Sequence, residues 1–129
     1  MFNVVITGAN RGIGLEFVKH YLSSSGAQVV DKVDVGNPES LPLALERLKG
    51  VKIDLLINNA GVLANESIND YSPNTIEQQF LVNAMGPLLV TQLLKEQLVA
   101  GSKVALITSR MGSMTDNTSG GYYGYRMSK

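Results

Sequence analysis

The run Thr7-Gly8-Ala9-Asn10-Arg11-Gly12-Ile13-Gly14 joins two stretches of opposite periodicity, and this restricts the fold more than any other feature of the chain. Phe2 to Thr7 is an almost continuous apolar run, the pattern of a short strand buried on both faces. From Gly12 to about Ser24 the spacing turns helical, with Ile13, Phe17, Val18, Tyr21 and Leu22 on one stripe. Strand, glycine loop and helix open an α/β fold. Within the loop Gly8 permits a tight exit from the strand, Gly12 lets a pyrophosphate approach the backbone, and Gly14 lets the helix pack close to the sheet. Tight turns need glycine anyway, so it is the position between strand and helix that favours nucleotide binding.

The rest of the chain repeats the alternation. Ala27 to Val30 reads as a second strand after Gly26. Asn37-Pro38-Glu39-Ser40 signals a helix start, with proline in the first turn, and the helix runs to about Lys49, capped by Gly50. Ile53 to Ile57 is a buried strand, and Pro73 opens a long helix through about Val99 that Gly86-Pro87 should bend. Val104 to Thr108 is the next strand, followed by a polar loop from Ser109 to Gly121 and a helix beginning at Tyr122. Alternating strands and helices imply a parallel sheet with right-handed crossovers.

Composition narrows the function classes. The chain has 129 residues, 44% of them hydrophobic and 17% charged, enough apolar surface for the core of one domain. Eleven basic and eleven acidic residues cancel, which leaves no footprint for nucleic-acid or membrane-surface binding. The absence of cysteine removes disulfides, thiol nucleophiles and thiolate metal sites, and no metal site is expected. No apolar run approaches the length needed to span a bilayer, so a cytoplasmic protein is expected.

Four motifs stand in order: T-G-x-x-x-G-I-G from Thr7 to Gly14, Asn58-Asn59-Ala60-Gly61 after a strand, Ser109 after the next strand, and Tyr125-Arg126-Met127-Ser128-Lys129. Together they resemble the short-chain dehydrogenase/reductase family, and the segments Ile6 to Gly12 and Gly120 to Lys129 are most similar to its C-factor and sniffer-type carbonyl reductase branch. The resemblance implies an incomplete Rossmann-like doubly wound parallel sheet of about four strands, one NAD(P)-binding domain over residues 1–129, with the C-terminal half absent. It implies hydride transfer between NAD(P)H and a small carbonyl or alcohol; a nucleotide-binding signalling module without turnover, or an inactive fragment, is the alternative.

By that resemblance Tyr125 is the general acid, Ser109 hydrogen-bonds the substrate oxygen, Lys129 holds the nicotinamide ribose, and Asn83 completes a water-linked proton relay. Tyr125 and Lys129 lie four apart, hence on one helix face, where an ammonium favours phenolate. The cofactor-binding set is Thr7, Gly8, Asn10, Arg11, Gly12, Ile13, Gly14, Asp34, Asn58, Ala60, Gly61, Tyr125 and Lys129. Plainer readings stand beside these: Asn83 as a solvent-facing helix residue, Asn58 to Gly61 as an ordinary turn, Ser113 or Thr108 in place of Ser109, and Tyr122 and Tyr123 as loop packing.

Two features depart from the family pattern. Between the first helix and Asn37 a complete member has a strand, a helix and another strand, and here one strand and one helix are missing. If Ala27 to Val30 is the second strand, Asp31 takes the place of the acid that binds the ribose 2′-hydroxyl and favours NAD. If Asp34-Val35 matches the family's later Asp-Val, Asp34 belongs beside the adenine, and Arg11 leans toward NADP, the cofactor we prefer. The second departure is that the chain stops at Lys129. The Tyr125 to Lys129 turn is therefore expected to fray and the 129-residue chain to have little turnover. A family-like homodimer or tetramer is expected of a complete member, and self-association through Leu89, Leu93 and Leu94 of this chain.

Overall fold

The computed structural model describes residues 2–25 and 34–129. Strand β1 (Val4–Ile6), β2 (Ile53–Asn58) and β3 (Leu98–Leu106) form a parallel sheet in the order β1-β2-β3. Val4, Val5 and Ile6 pair with Leu55, Leu56 and Ile57, and those in turn with Lys103, Val104 and Ala105. The strand expected at Ala27 to Val30, together with Asp31, lies outside the described residues.

Alternation along the strands sends side chains to two cores. Val4, Ile6 and Ile57 meet Ala9 and Val18 beneath helix α1 (Gly12–Ser25), with Phe17 and Tyr21 packed alongside. Val5 and Leu56 face the opposite side, where Leu41, Leu45, Leu48, Val82, Val90 and Leu94 complete the larger core. Helices on both faces of a parallel sheet are the doubly wound arrangement that the motifs imply. The α1 stripe is narrower than the spacing suggests. Ile13 is 63% exposed and Leu22 56% exposed, because only the Gly14–Val18 side of the helix lies against the sheet.

Three boundaries differ from the sequence reading. Helix α2 (Leu41–Leu45) begins after the Asn37-Pro38-Glu39-Ser40 signal and passes into a 3₁₀ turn at Glu46–Leu48. Asn37 explains the delay: its Oδ1 accepts from the Glu39 N–H, and its carbonyl from the Ser40 N–H and hydroxyl, so the segment closes as a turn before the helix starts. The long helix splits into α3 (Pro73–Phe80), a π-helical turn (Leu81–Met85) and α4 (Gly86–Leu93). The interruption expected at Gly86-Pro87 thus takes the form of a π turn just before it.

Finally, the helix does not reach Val99. Gln97 N–H closes a turn on the Leu94 carbonyl, Ile53 N–H takes the Gln97 carbonyl, and β3 starts at Leu98. Pairing with a central strand overrides the helical spacing of these leucines. Leu94 is buried in the larger core and Leu89 packs against it, so of the three residues expected to drive self-association only Leu93 is exposed.

Strand β3 carries an irregularity at Gly101, where the register with β2 shifts. Ser102 repairs it, its hydroxyl donating to the Ile53 carbonyl (2.6 Å) and accepting from the Val99 N–H (2.9 Å). The outer edge of β3 has no partner strand among the described residues. Helix α5 (Tyr123–Ser128) packs on α3, and its last turn closes with Lys129 N–H on the Tyr125 carbonyl (3.1 Å). No helix among the described residues is long and apolar enough to cross a membrane.

Leu56 is fully buried at the centre of the middle strand. Replacing it with alanine is expected to lower stability by about 2–5 kcal/mol, read as a shift of the urea midpoint at constant slope.

Candidate active site

The loops after β1, β2 and β3 gather at the carboxyl end of the sheet, the end at which open α/β sheets bind ligands. Thr7 fastens the first two together. Its hydroxyl accepts from the Asn59 and Ala60 N–H groups (3.1 and 3.0 Å), while the Asn59 side-chain amide donates to the Thr7 and Gly8 carbonyls (3.1 and 3.2 Å). Thr7 is buried, so these bonds fix the loop from within.

The glycines behave as their places require. A Cβ on Gly14 would run into the Gly8 carbonyl, so α1 starts against the loop only because residue 14 has no side chain. Gly12, at φ +55°, has nothing within 4 Å of the same hypothetical atom; its backbone faces open space at the start of a 14-residue helix.

That space is a groove of about 430 Å³ lined by Gly8, Asn10, Arg11, Gly12, Ile13, Asp34, Ala60 and Gly61, together with Asn59, Val62 and Gln78. Eight of the thirteen residues expected to bind cofactor therefore meet in one place. The exposed Ile13 is one of them, which accounts for its position off the packed stripe. Asp34 accepts the Gly36 N–H (3.0 Å) and so shapes its own turn at the groove edge. Thr7 and Gly14 support the groove without lining it.

A second cavity of about 410 Å³ is bounded by Asn58, Ala60, Asn83, Pro87, Thr108, Ser128 and Lys129. Asn83 is buried in the π turn and its amide is fully used: Oδ1 accepts the Val62 N–H (2.8 Å), and Nδ2 donates to the Val62 carbonyl (2.8 Å) and the Ser128 hydroxyl (2.9 Å). It is neither solvent-facing nor a passive helix residue. It ties the loop after β2 to α5. Asn58 is buried beside it and donates to the Thr91 hydroxyl (3.3 Å), so Asn58 to Gly61 is more than a turn.

Lys129 lies between these parts. Its ammonium donates to the Ile107 carbonyl (2.8 Å), sits 3.3 Å from the Cβ position of Gly61 and stands 5.9 Å from the centre of the Tyr125 ring. Burial draws its pKa below the ordinary lysine value. Ser109 caps the 3₁₀ turn Arg110–Gly112, its oxygen accepting the Met111 N–H (3.1 Å), which leaves the hydroxyl hydrogen to donate elsewhere. Thr108 instead spends its hydroxyl on the Lys129 carbonyl (2.8 Å), and Ser113 accepts the Asp116 N–H (3.1 Å). Tyr125 and Ser109 line neither cavity.

Sequence reasoning named Asn59 only as part of a motif; the pair it forms with Thr7 shows no signal beyond two polar residues each at a strand end. Ser128 was likewise passed over, although it is the position before Lys129 and on the buried face of α5.

A family model described as short chain dehydrogenase matches residues 26–129. The 1-hydroxy-2-glutathionyl-2-methyl-3-butene dehydrogenase of Rhodococcus sp. (strain AD45) is 34% identical over 148 aligned positions, covering 100% of this chain and 66% of that protein. C-signal of Myxococcus xanthus is 46% identical over 80 residues, 60% of this chain and 48% of C-signal. The NADPH-bound carbonyl reductase from chicken fatty liver superposes with a TM-score of 0.82 at 29% identity, over 98% of this chain and 68% of that one. The chain thus spans about half to two thirds of the length of the curated relatives it matches.

The lowered Lys129 pKa fixes a sign. The folded protein releases that proton before the unfolded chain does, so this burial holds stability down at low pH and the deficit is relieved as pH rises toward about 10.4. A side-chain NMR titration of Lys129 is expected to show a midpoint below that value, and Lys129→Met to flatten the corresponding rise in unfolding free energy.

Proposed function

The chain belongs to the short-chain dehydrogenase family, and from that premise we propose that it serves an oxidoreductase that reduces a small carbonyl compound to an alcohol with NADPH. The observation that carries the reading is the junction at Lys129, where the loop after β2, the end of β3, the π turn and α5 meet within hydrogen-bond distances of Lys129 and Asn83.

The residues present fit a dinucleotide. The open backbone of Gly12 at a helix start suits a pyrophosphate, and Arg11 beside it supplies the positive charge that a 2′-phosphate needs. The carbonyl reductase at 29% identity was solved with NADPH, which favours NADP over NAD; Asp34 then belongs to the adenine side of the groove. Gly61, Ala60 and Lys129 bound the nicotinamide side. The bound cofactor supplies the hydride.

The chain's own groups handle the proton. Tyr125 gives its phenolic proton to the carbonyl oxygen as the carbon is reduced, so that one hydride and one proton make the alcohol. Ser109 donates to the same oxygen and fixes its direction. Lys129, held against the Ile107 carbonyl, places a positive charge 5.9 Å from the centre of the Tyr125 ring. Asn83 acts through its neighbours, keeping Val62 and Ser128 in place. One NAD(P)-binding domain, a cytoplasmic setting and a homodimeric or tetrameric assembly belong to the same reading.

A nucleotide-binding module without turnover is the second reading, favoured by the 46% identity to a relative named C-signal. In the protein that carries this chain, NADPH is expected to bind and to be oxidised with benzaldehyde as the carbonyl probe. Tyr125→Phe should lower kcat about 100-fold or more while NADPH still binds, and Gly14→Val should weaken NADPH binding itself. Calorimetry showing no NADPH binding to folded protein overturns both readings; binding without any Tyr125-dependent turnover leaves the second.

A further inference from the structure

Glu66 is a carboxylate only 4% exposed, with no cation paired to it among the described residues and no part in the chemistry above. Both of its oxygens are used. Oε1 accepts from the Gln79 side-chain amide (2.8 Å) and Oε2 from the Gly124 N–H (2.8 Å). Gln79, also buried on α3, turns its own Oε1 to the Ala64 N–H (3.0 Å), and its amide nitrogen donates a second bond to the Thr75 carbonyl one turn back (3.3 Å). The backbone of Glu66 adds a further tie, its carbonyl accepting from the Tyr122 N–H (2.9 Å).

These bonds converge on the start of α5. The chain enters that helix through Gly120, Gly121 and Tyr122, all at positive φ, and Tyr122 at +52° is the one non-glycine residue so placed among the described residues. Such a conformation persists only where the surroundings impose it. Gly124 is packed so closely on Gln79 that a Cβ there would run into the Gln79 amide nitrogen. The next residue is Tyr125.

We propose that Glu66 and Gln79 are positioning residues for Tyr125, acting as a carboxylate-plus-amide pair strung between two fixed backbone donors. The inference rests on the reading that Tyr125 is the proton donor. Its logic is a count of donors and acceptors. Ala64 N–H at one end and Gly124 N–H at the other both need an acceptor, and the two side chains between them must also bond each other. A carboxylate offers two acceptors and an amide one acceptor and an NH2 with two donors, so one of each satisfies the string between Ala64 and Gly124 in either order, while only the native order also satisfies the Thr75 carbonyl. Two amides leave a donor facing a donor, and two carboxylates an acceptor facing an acceptor, whichever way the groups turn.

The test is therefore a swap. Backbone hydrogen exchange at Gly124 is followed in the 129-residue chain, with Leu56 in β2 as the internal reference. Glu66→Gln is expected to speed exchange at Gly124 about tenfold or more relative to Leu56, and E66Q/Q79E to slow it again by at least about threefold from the single variant, short of the original because Glu at 79 no longer donates to the Thr75 carbonyl. Unchanged exchange in Glu66→Gln, equal acceleration at Leu56, or a swap no better than the single variant overturns the proposal. Should Glu66→Gln not fold, the swap decides alone: a folded swap with Gly124 protected supports the pairing, and an unfolded one overturns it.

In the protein that carries this chain, Glu66→Gln should lower kcat with benzaldehyde about tenfold while KM for NADPH stays within about twofold, and the swap should recover part of kcat. A Tyr125→Phe variant with unchanged kcat would overturn the proton-donor reading and leave the exchange result standing.

Discussion

Two polar residues at strand ends, Thr7 and Asn59, set the geometry on which the site depends. Parallel pairing of β1 and β2 brings their carboxyl ends level, yet pairing ends at Ile6 and Ile57, one or two residues short of the groove. Four hydrogen bonds between Thr7, Gly8, Asn59 and Ala60 carry the alignment past the sheet into irregular backbone. Loop backbone buried without such partners would leave orphan N–H and C=O groups, each costing about 1–3 kcal/mol. Because Gly14 allows α1 to start in contact with Gly8, the helix inherits the same alignment. The glycine-loop and Asn59–Ala60 walls of the groove are consequently referred to one clasp, while Asp34 at its edge is set by its own turn.

A second junction does for α5 what the clasp does for α1. The π turn at Leu81–Met85 turns Asn83 inward, where it is bonded on one side to Val62 and on the other to Ser128. A regular helix carried through this segment would present its side chains on a different register, and π turns of this kind recur at functional sites. Lys129 follows Ser128 directly, so the rigidity of the π turn reaches the ammonium through one residue. The ammonium itself meets a carbonyl and an aromatic face instead of a carboxylate, and its partly dehydrated state follows from that company.

The glycine loop, its helix, the central strand and the Tyr125–Lys129 turn were legible because each rests on local chemistry: a residue without Cβ, a spacing of four, an apolar run. The reading failed where a contact between distant segments chose the outcome. Leu98 and Val99 continue the spacing of α4, and only pairing with Ile53 makes them strand. Asn37 looked like the start of a helix and instead captures backbone donors in a turn. Asn83 was picked out by its place in the family pattern, but its amide's three bonds join segments 21 and 45 residues apart and leave no periodic trace. Glu66 and Gln79 gave no signal at all, since a glutamate and a glutamine thirteen positions apart are ordinary until the fold buries them together.

The irregularity at Gly101 bears on how a sheet can continue beside β3. The ladder with β2 is regular only from Lys103 to Leu106, because the register shifts before Lys103, and the Ser102 hydroxyl is turned inward to Ile53. A strand pairing with the other side of β3 therefore finds a straight template over those four residues and not beyond them. A kink that first serves to seat β3 on one neighbour thereby also sets where the next one can begin.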